Sequence, residues 1–329
     1  MNGTSLLQIE NLQTSFFTKR GVVRAVDGVS FSIAPGETLG IVGESGCGKS
    51  MTALSVMGLL EKNGKVTEGT ILFNGENLLE LAPRQRRKMC GDQLSMIFQE
   101  PMTSLNPVTT VGHQVLETLI VHDQVKSKQE AKARIIELFR QVGIPDPERR
   151  YASYPHQLSG GLRQRVMIAM AMACEPKLLI ADEPTTALDV TIEAQILHLM
   201  RKLSKEHHTA IMMITHNLGV VAEICDRVCV MYAGKIVEQA EVHELFRNPL
   251  HPYTNGLLRS LPKMQSGQGR LYNIRGMVPD LVNMPEGCRF AARCDQACDR
   301  CCREMPELID VGGGHLVRCF RQGREDIHG

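Results

Sequence analysis

The 329-residue sequence lacks an apolar run long enough to cross a membrane. Its longest purely apolar stretch is Val166–Cys174, far short of the roughly 20 residues that a membrane-spanning helix needs. Net charge is lacking too: 37 basic residues nearly balance 36 acidic ones, so no global electrostatic argument favours a nucleic acid or an acidic lipid as partner. The first ten residues show neither the basic start nor the apolar stretch of a signal peptide. We therefore expect a cytoplasmic protein that reaches a membrane only through a protein partner.

The length allows one large domain, or one domain with an extension. Predicted strands are Leu7–Asn11, Val22–Val26, Val29–Ile33, Thr38–Val42, Leu178–Ala181 and Ala210–Thr215, followed by a hairpin of Val228–Tyr232 and Lys235–Val237 that turns at Ala233–Gly234. Predicted helices are Lys49–Leu60, Ser127–Val142 and Ile192–His207, within a chain whose residues 101–172 have a helical pattern throughout. Strands that alternate with helices predict an α/β fold with a parallel sheet. We place a domain boundary near Phe246, which divides residues 1–246 from an extension of residues 247–329.

A glycine-rich segment between a predicted strand and a predicted helix matches the phosphate-binding loop, or P-loop. Its residues are Gly43, Glu44, Ser45, Gly46, Cys47, Gly48, Lys49 and Ser50. The glycines let backbone N–H groups turn towards phosphate oxygens, Lys49 offers a charge to the β- and γ-phosphates, and Ser50 offers a hydroxyl to Mg²⁺. A glycine-rich turn without a ligand is the alternative. Taken alone, the loop specifies only a P-loop nucleotidase.

A second motif is the apolar run Leu178–Ala181, which ends in two carboxylates. Asp182 is placed to bind Mg²⁺, and Glu183 is placed to orient and deprotonate an attacking water. Acidic strand ends are individually common, so this motif indicates a nucleotide site only in combination with the P-loop.

The segment Leu158–Arg165 narrows the class. Its sequence, Leu-Ser-Gly-Gly-Leu-Arg-Gln-Arg, resembles the LSGGQ signature of ABC ATPases, with Leu162 in place of the usual glutamine. Ser159 and the N–H groups of Gly160 and Gly161 at a helix start form a second anion-binding surface. A helix cap that follows a loop is the alternative for this segment alone. The resemblance implies the ABC-type P-loop fold, in which a mixed sheet core carries an antiparallel β subdomain and a helical subdomain, and it implies that the signature contacts the γ-phosphate held by the opposite subunit.

Further residues agree with this resemblance and take their roles from it. Gln99 matches the glutamine that joins Mg²⁺ to the helical subdomain, Ala187–Asp189 matches the D-loop, and His216 matches the switch histidine that contacts the γ-phosphate. Phe17 or its neighbour Phe16 is the candidate for stacking on adenine, with ordinary core packing as the alternative.

Longer strings resemble the ATP-binding subunits of bacterial dipeptide and oligopeptide importers. They are Gln99–Pro107, His251–Thr254 and the cysteine-bearing tail, and nickel importers share part of this pattern. The resemblance implies an ATPase that powers import at the cytoplasmic face of the cell membrane. It also implies a head-to-tail dimer with a similar but distinct ATPase, two membrane permeases and an external binding protein, without nucleic acid. The alternative from another class is a soluble ABC ATPase of translation or DNA repair, which typically carries a second ATPase domain or a long coiled-coil insertion; neither is visible here.

Six of the eleven cysteines lie between Cys288 and Cys319, too densely for chance packing. Because structural disulfides are disfavoured in a reducing compartment, a metal site is the leading alternative: an iron-sulfur cluster or a tetrahedral zinc. A metal-free tail also stays open. The family resemblance implies a [4Fe-4S] cluster on Cys288, Cys294, Cys301 and Cys319, and the additional Cys298 and Cys302 put the third ligand in doubt. We expect any such site to be structural or redox-sensing and not catalytic.

Overall fold

The computed structural model of the protein describes residues 5–99, 104–186, 188–261 and 273–322. These residues form two compact units, and each unit is assembled from separate parts of the chain. The first unit is built mainly on Ile33–Thr38 and Phe73–Ile214, and the second on Leu7–Ser32, Leu39–Leu72 and the described residues from Thr215 onwards.

The described residues contain twelve strands. They are β1 (Leu7–Thr18), β2 (Gly21–Ile33), β3 (Thr38–Val42), β4 (Gly64–Phe73), β5 (Glu76–Asn77), β6 (Leu94–Ile97), β7 (Leu178–Asp182), β8 (Ala210–Thr215), β9 (Arg227–Tyr232), β10 (Lys235–Glu241), β11 (Ile309–Asp310) and β12 (Leu316–Val317).

The same residues contain eleven α-helices. They are α1 (Lys49–Met57), α2 (Pro83–Met89), α3 (Val111–Val121), α4 (Lys128–Gln141), α5 (Pro147–Arg150), α6 (Gly160–Met172), α7 (Val190–His207), α8 (Leu218–Ile224), α9 (Val242–Arg247), α10 (Pro252–Arg259) and α11 (Asp299–Arg303). Within the described part of the chain, none of these helices is long and apolar enough to span a bilayer.

The first unit is centred on parallel strands. β7 lies between β6 and β8 and runs parallel to both. Every residue of β7 and β8 is buried, as expected for parallel strands that are covered on both faces. At the carboxyl end of β7, Asp182 lies opposite Ile214 of β8. The sheet therefore delivers the acidic pair Asp182 and Glu183 to one of its edges.

Helices dominate the part of the first unit that lies between residues 104 and 172. α4 begins after the N-cap Ser127, whose hydroxyl accepts a hydrogen bond from the Glu130 N–H at 3.2 Å. Its buried residues Ala131, Ile135 and Phe139 recur at every fourth position, so one face of the helix packs inward. The amphipathic helix predicted at Ser127–Val142 is thus confirmed.

The second unit combines a hairpin sheet with the strands that hold the P-loop. β1 and β2 are joined by only two residues and therefore run antiparallel, and β4 lies on the other side of β1. β3 pairs in parallel with β9, and β9 pairs in antiparallel with β10. The predicted turn at Ala233–Gly234 is confirmed: the φ angles of 45° and 85° are those of the tight turn that suits a two-residue hairpin.

Some predicted boundaries were wrong. β1 continues to Thr18 through Asn11, which has a φ of 46°, and β2 is one strand because it passes through Gly28, which has a φ of 70°. The sequence predicts a strand end at Asn11 and a break between Val26 and Val29, around Gly28. Asparagine and glycine usually mark turns, but here they are local irregularities within long strands. α1 ends at Met57 and not at Leu60, because Gly58 adopts the left-handed conformation that terminates helices.

The sequence prediction omitted several strands, among them β4, β6 and the short tail strands. In the tail, β12 pairs in antiparallel with β10 and with β11. Residues on both sides of Phe246 belong to the second unit. The division into residues 1–246 and 247–329 stays a prediction.

Candidate nucleotide-binding and cysteine sites

The P-loop connects β3 to α1 within the second unit. A Cβ added to Gly43 would lie 2.2 Å from the Met231 carbonyl oxygen, and one added to Gly48 would lie 2.3 Å from the Ala25 carbonyl oxygen. Both glycines also have positive φ angles, 154° and 106°. Only glycine meets both conditions, so the loop is shaped by close backbone packing at its two ends.

Lys49 folds back over this loop. Its side chain is buried, and its Nζ donates to the carbonyl oxygens of Gly43 at 2.8 Å and Glu44 at 3.0 Å. The ammonium thus lies beside the start of α1, where backbone N–H groups and the helix dipole favour an anion. Ser50 follows as the second residue of α1.

The remaining loop residues divide into a buried and an exposed group. Cys47 is fully buried, and this burial raises the pKa of its thiol, so the side chain is a neutral packing group. Ser45 and Gly46 are exposed at the tip of the loop.

In the first unit, the acidic pair follows β7 directly. Asp182 is buried as the last residue of the strand. Glu183 has a φ of 47°, a left-handed conformation that is uncommon for a residue with a side chain and that costs on the order of 1–3 kcal/mol. Its N–H donates to the Ile214 carbonyl oxygen at 2.9 Å, which holds the backbone in this conformation.

The Glu183 carboxylate is oriented by two neighbours. Gln99 Nε2 donates to Glu183 Oε2 at 3.2 Å, and Thr186 Oγ1 donates to the same oxygen at 2.9 Å. The structure therefore brings together two residues that the sequence predicts as catalytic, and it adds Thr186, which the sequence reasoning missed. A carboxylate held in this way is suited to act as a base towards water.

The signature residues lie at the start of α6 in the first unit. Ser159 is the N-cap, and its hydroxyl accepts a hydrogen bond from the Leu162 N–H at 3.4 Å. Ser159 and Gly160 are exposed, whereas a Cβ on Gly161 would lie 2.9 Å from Ile192 Cγ2. The exposed helix start has the N–H groups that a phosphate needs, so the helix cap does not exclude the anion-binding surface, which stays a prediction.

Three other predicted residues can be placed within their own units. His216 is exposed directly after β8, and Phe17 on β1 has 53% of its surface exposed, which favours stacking over core packing. Asp189 is the N-cap of α7, while Ala187 and the segment Glu100–Thr103 lie outside the described residues.

The sequence reasoning missed the residues that surround Glu44 in the second unit. The Glu44 N–H donates to the Tyr253 hydroxyl at 2.8 Å, and its carboxylate accepts two hydrogen bonds from Arg293 at 2.7 and 3.0 Å. This hydrogen bonding raises the pKa of Arg293, which is therefore always charged. The string His251–Thr254 was a signal of family only, and nothing in the sequence pointed to Arg293.

A buried polar group lies next to Tyr253. The Nδ1 of His251 accepts a hydrogen bond from the Tyr253 N–H at 3.1 Å and so caps α10. Glu238, fully buried, accepts from the backbone N–H of His251 at 3.0 Å and is bonded to His315 Nε2 at 2.8 Å. Burial, with a contribution from the positive Arg318, lowers the pKa of His251 to about 3.

The four tail cysteines that the resemblance selects line one cavity. They are Cys288, Cys294, Cys301 and Cys319, and Phe290 and His251 line the same cavity. Burial raises the pKa of these four thiols, to about 11 for Cys301. Within the described residues, no group of three or more His, Cys, Asp or Glu side chains is arranged to hold a metal ion.

The other two tail cysteines are exposed. Cys298 Sγ lies 3.4 Å from Cys301 Sγ, and hydrogen bonding from the Cys301 backbone lowers the pKa of Cys298. Of the three candidates for the third position, Cys301 is thus the one that lines the cavity.

Comparison with known proteins agrees with these features. Residues 26–186 match the family model described as "ABC transporter", and residues 237–301 match the model described as "Oligopeptide/dipeptide transporter, C-terminal region". The chain is 52% identical over 318 residues to the oligopeptide transport ATP-binding protein AppD of Bacillus subtilis (strain 168), across 96% of this chain and 97% of AppD. The chain belongs to the family of peptide ABC transporter ATP-binding proteins. The dipeptide transport ATP-binding protein DppD of Escherichia coli (strain K12) is 48% identical over 315 residues, across 96% of each chain.

Solved ABC cassettes have the same fold. A dimeric post-hydrolysis state of the ATP-binding cassette MJ0796, bound to ADP and Pi, matches with a TM-score of 0.65 and 27% identity over 72% of this chain and 98% of that one. CbiO1 from Clostridium perfringens, part of the ABC transporter complex cbiONQ, matches with a TM-score of 0.63 and 29% identity over 74% of this chain and 91% of that one. The predicted ABC-type P-loop fold is therefore confirmed.

As a peptide ABC transporter ATP-binding protein, the chain is an ATPase that hydrolyses ATP to drive transport. The P-loop, the acidic strand end and the signature segment predict the same activity. The assignment of individual roles to the site residues stays a prediction.

Proposed function

We propose that the chain powers the import of dipeptides or oligopeptides across the cell membrane, which it contacts from the cytoplasmic face as a peripheral subunit. The observation that carries this proposal is the identity of 52% with an oligopeptide transport ATP-binding protein along almost the whole chain, the cysteine-bearing tail included.

In this proposal the P-loop binds the nucleotide. Its backbone N–H groups and Lys49 hold the β- and γ-phosphates, and Phe17 stacks on the adenine. The buried Asp182 carboxylate suits Mg²⁺, a hard cation that prefers oxygen ligands. The family resemblance adds the Ser50 hydroxyl and the Gln99 amide as further ligands, and the bound ion would neutralise phosphate charge.

Hydrolysis is assigned to Glu183. Its carboxylate orients a water molecule in line with the γ-phosphate and takes its proton, and the two hydrogen bonds from Gln99 and Thr186 keep the carboxylate in place. His216 contacts the γ-phosphate. The rate enhancement comes mainly from positioning and charge neutralisation.

Each complete site also needs a signature loop from a second cassette, because Ser159, Gly160 and Gly161 then supply the remaining phosphate contacts. The dimeric state of a similar cassette supports this arrangement. ATP binding favours the closed dimer and hydrolysis releases it. We propose that the partner is a similar but distinct ATPase, and that two permeases and an extracytoplasmic binding protein complete the transporter.

The four cysteines that line the tail cavity match, in residue type and number, the ligands that an iron-sulfur cluster takes. Cys288, Cys294, Cys301 and Cys319 would hold a [4Fe-4S] cluster, which would supply structural cross-linking or redox sensing. Analysis of iron and acid-labile sulfide in anaerobically purified protein tests this assignment; a protein that contains neither refutes it.

An affinity purification of the chain from mildly solubilised native membranes tests the transport function. We expect two multi-span permeases and a second ATPase to co-purify, and peptides presented with the binding protein to stimulate the ATPase activity of the reconstituted complex. If nickel and not peptides stimulates this ATPase activity, the chain is a subunit of a nickel importer. Recovery of ribosomes or DNA-repair proteins in place of permeases would overturn the transport function.

A further inference from the structure

We propose that Arg293 is a positioning residue of the P-loop, which acts through Glu44 and so couples nucleotide binding to the C-terminal tail. This inference rests on the proposed function, since it assigns a role towards the ATP that the P-loop binds.

Glu44 is bonded at every one of its polar groups. Its N–H donates to the Tyr253 hydroxyl, and its carbonyl oxygen accepts from Lys49 Nζ at 3.0 Å and from the Cys47 N–H at 3.3 Å. Both carboxylate oxygens accept from Arg293. The second residue of the P-loop is thus fixed, and the same residue supports the lysine that meets the phosphates.

Arg293 is itself held tightly. Only 6% of its side chain is exposed, and its Nε donates to the Arg275 carbonyl oxygen at 2.9 Å. A further bond joins its guanidinium to the Tyr232 hydroxyl at 3.3 Å, and Tyr232 packs against Tyr253 with ring centroids 4.7 Å apart. A bidentate arginine-carboxylate pair has one preferred geometry. Because Arg293 is itself fixed, the pair holds Glu44 and the loop in one position.

The Arg293–Glu44 pair lies next to the cysteine cavity in the sequence. Arg293 closes a short helical turn, Ala291–Arg293, and the next residue is Cys294, which lines the cavity. A second arginine, Arg289, follows Cys288 and donates to the carbonyl oxygen of Ala233; the neighbouring Gly234 N–H donates to the Cys47 carbonyl oxygen at 2.8 Å. Both arginines therefore connect a cavity cysteine with the P-loop, and the shorter connection is the one through Arg293.

An exposed ion pair between the β1–β2 turn and the tail provides a matched control. Arg20 lies 3.5 Å from Asp280, with 82% and 49% of the two side chains exposed. Neither residue contacts the P-loop in the described contacts. Such exposed pairs contribute little, so Arg20→Met removes an arginine from the tail contacts without a change at the loop.

The test measures steady-state ATP hydrolysis by the full chain in its assembled transporter, together with equilibrium binding of MgATP to the full chain. For Arg293→Met we expect the KM and the Kd for ATP to rise about tenfold while kcat changes less than about twofold, because a misplaced loop loses binding that ground state and transition state share. Glu44→Gln, which keeps the shape of the side chain, should give the same rise. Arg293→Lys should restore part of the affinity, and Arg20→Met should match wild type.

The double variant Arg293→Met with Glu44→Gln tests whether Arg293 acts on ATP binding through Glu44. If Arg293 acts through Glu44, the double variant is no weaker in ATP binding than either single variant. The proposal would be overturned if the fold-increases in Kd of the two single variants multiply in the double variant. A Kd for Arg293→Met equal to that of wild type would also overturn it. A purely structural role would lower the active fraction, and thus kcat, without a change in KM.

If Arg293→Met does not fold, Glu44→Gln alone decides: an unchanged Kd for MgATP overturns the proposal. A wild-type chain that binds no MgATP would instead contradict the proposed function.

Discussion

Acidification should destabilise the protein through one buried side chain, His251. Its pKa is about 3 in the folded protein and about 6.5 in an unfolded chain. Because the folded pKa is lowered, the stabilisation is fully present above pH 6.5 and is lost as the pH falls towards 3. The slope is about 1.4 kcal/mol per pH unit within this window, so the free energy of unfolding should fall by about 2 kcal/mol between pH 7 and pH 5 through His251 alone.

The matched variant is His251→Asn. Asparagine is a good N-cap and can accept the Tyr253 N–H, but it does not titrate, so the variant keeps the cap of α10 and removes the proton. The variant retains every other titratable side chain, so the difference between the two proteins reports on His251. Urea unfolding of both proteins at pH 7 and pH 5, followed by circular dichroism, should show the stability difference shifting by about 2 kcal/mol in favour of the variant at the lower pH. Parallel pH dependence of the two proteins would refute the role of His251.

Three further predictions concern the nucleotide site and the tail. Glu183→Gln should keep ATP affinity, lower kcat by on the order of 10²–10⁴ and lengthen the closed state, as measured by phosphate release against equilibrium binding; normal turnover would remove Glu183 from its role. Gly43→Ala should abolish ATP binding, because its Cβ would lie 2.2 Å from a backbone oxygen, and a Kd near that of wild type would show that the loop can relax. Cys288→Ser should keep the kcat for ATP hydrolysis while it lowers the iron content; a lost kcat with an intact fold would contradict a purely structural or redox-sensing role of the tail site.

The local motifs were predictable because each carries its chemistry within a few neighbouring residues. The P-loop glycines occupy positions where the backbone itself excludes a Cβ, and this requirement is legible in the sequence of eight residues. The same holds for β7, whose apolar run ends in Asp182 and Glu183.

What the sequence did not reveal depends on distant parts of the chain. Glu44 and Arg293 are 249 residues apart, and the sequence around neither residue indicates that the two side chains form an ion pair. β4 was missed because Glu68 and Thr70, on the same face of the strand as Val66, break the apolar alternation. Its neighbour β1 supplies the backbone pairing that the strand needs. The left-handed conformation of Glu183 is likewise set by a bond to the Ile214 backbone and not by local preference.

The long separation between the P-loop and its supports has a consequence for biosynthesis. A ribosome makes β3 and the P-loop early, but it makes Met231, Tyr253 and Arg293, which contact that loop, about 190 to 250 residues later. Until those residues emerge, the nascent chain carries a complete phosphate-binding motif that has no native conformation to adopt. We therefore expect the loop to reach its native conformation, and to bind ATP, only after these later residues have been made.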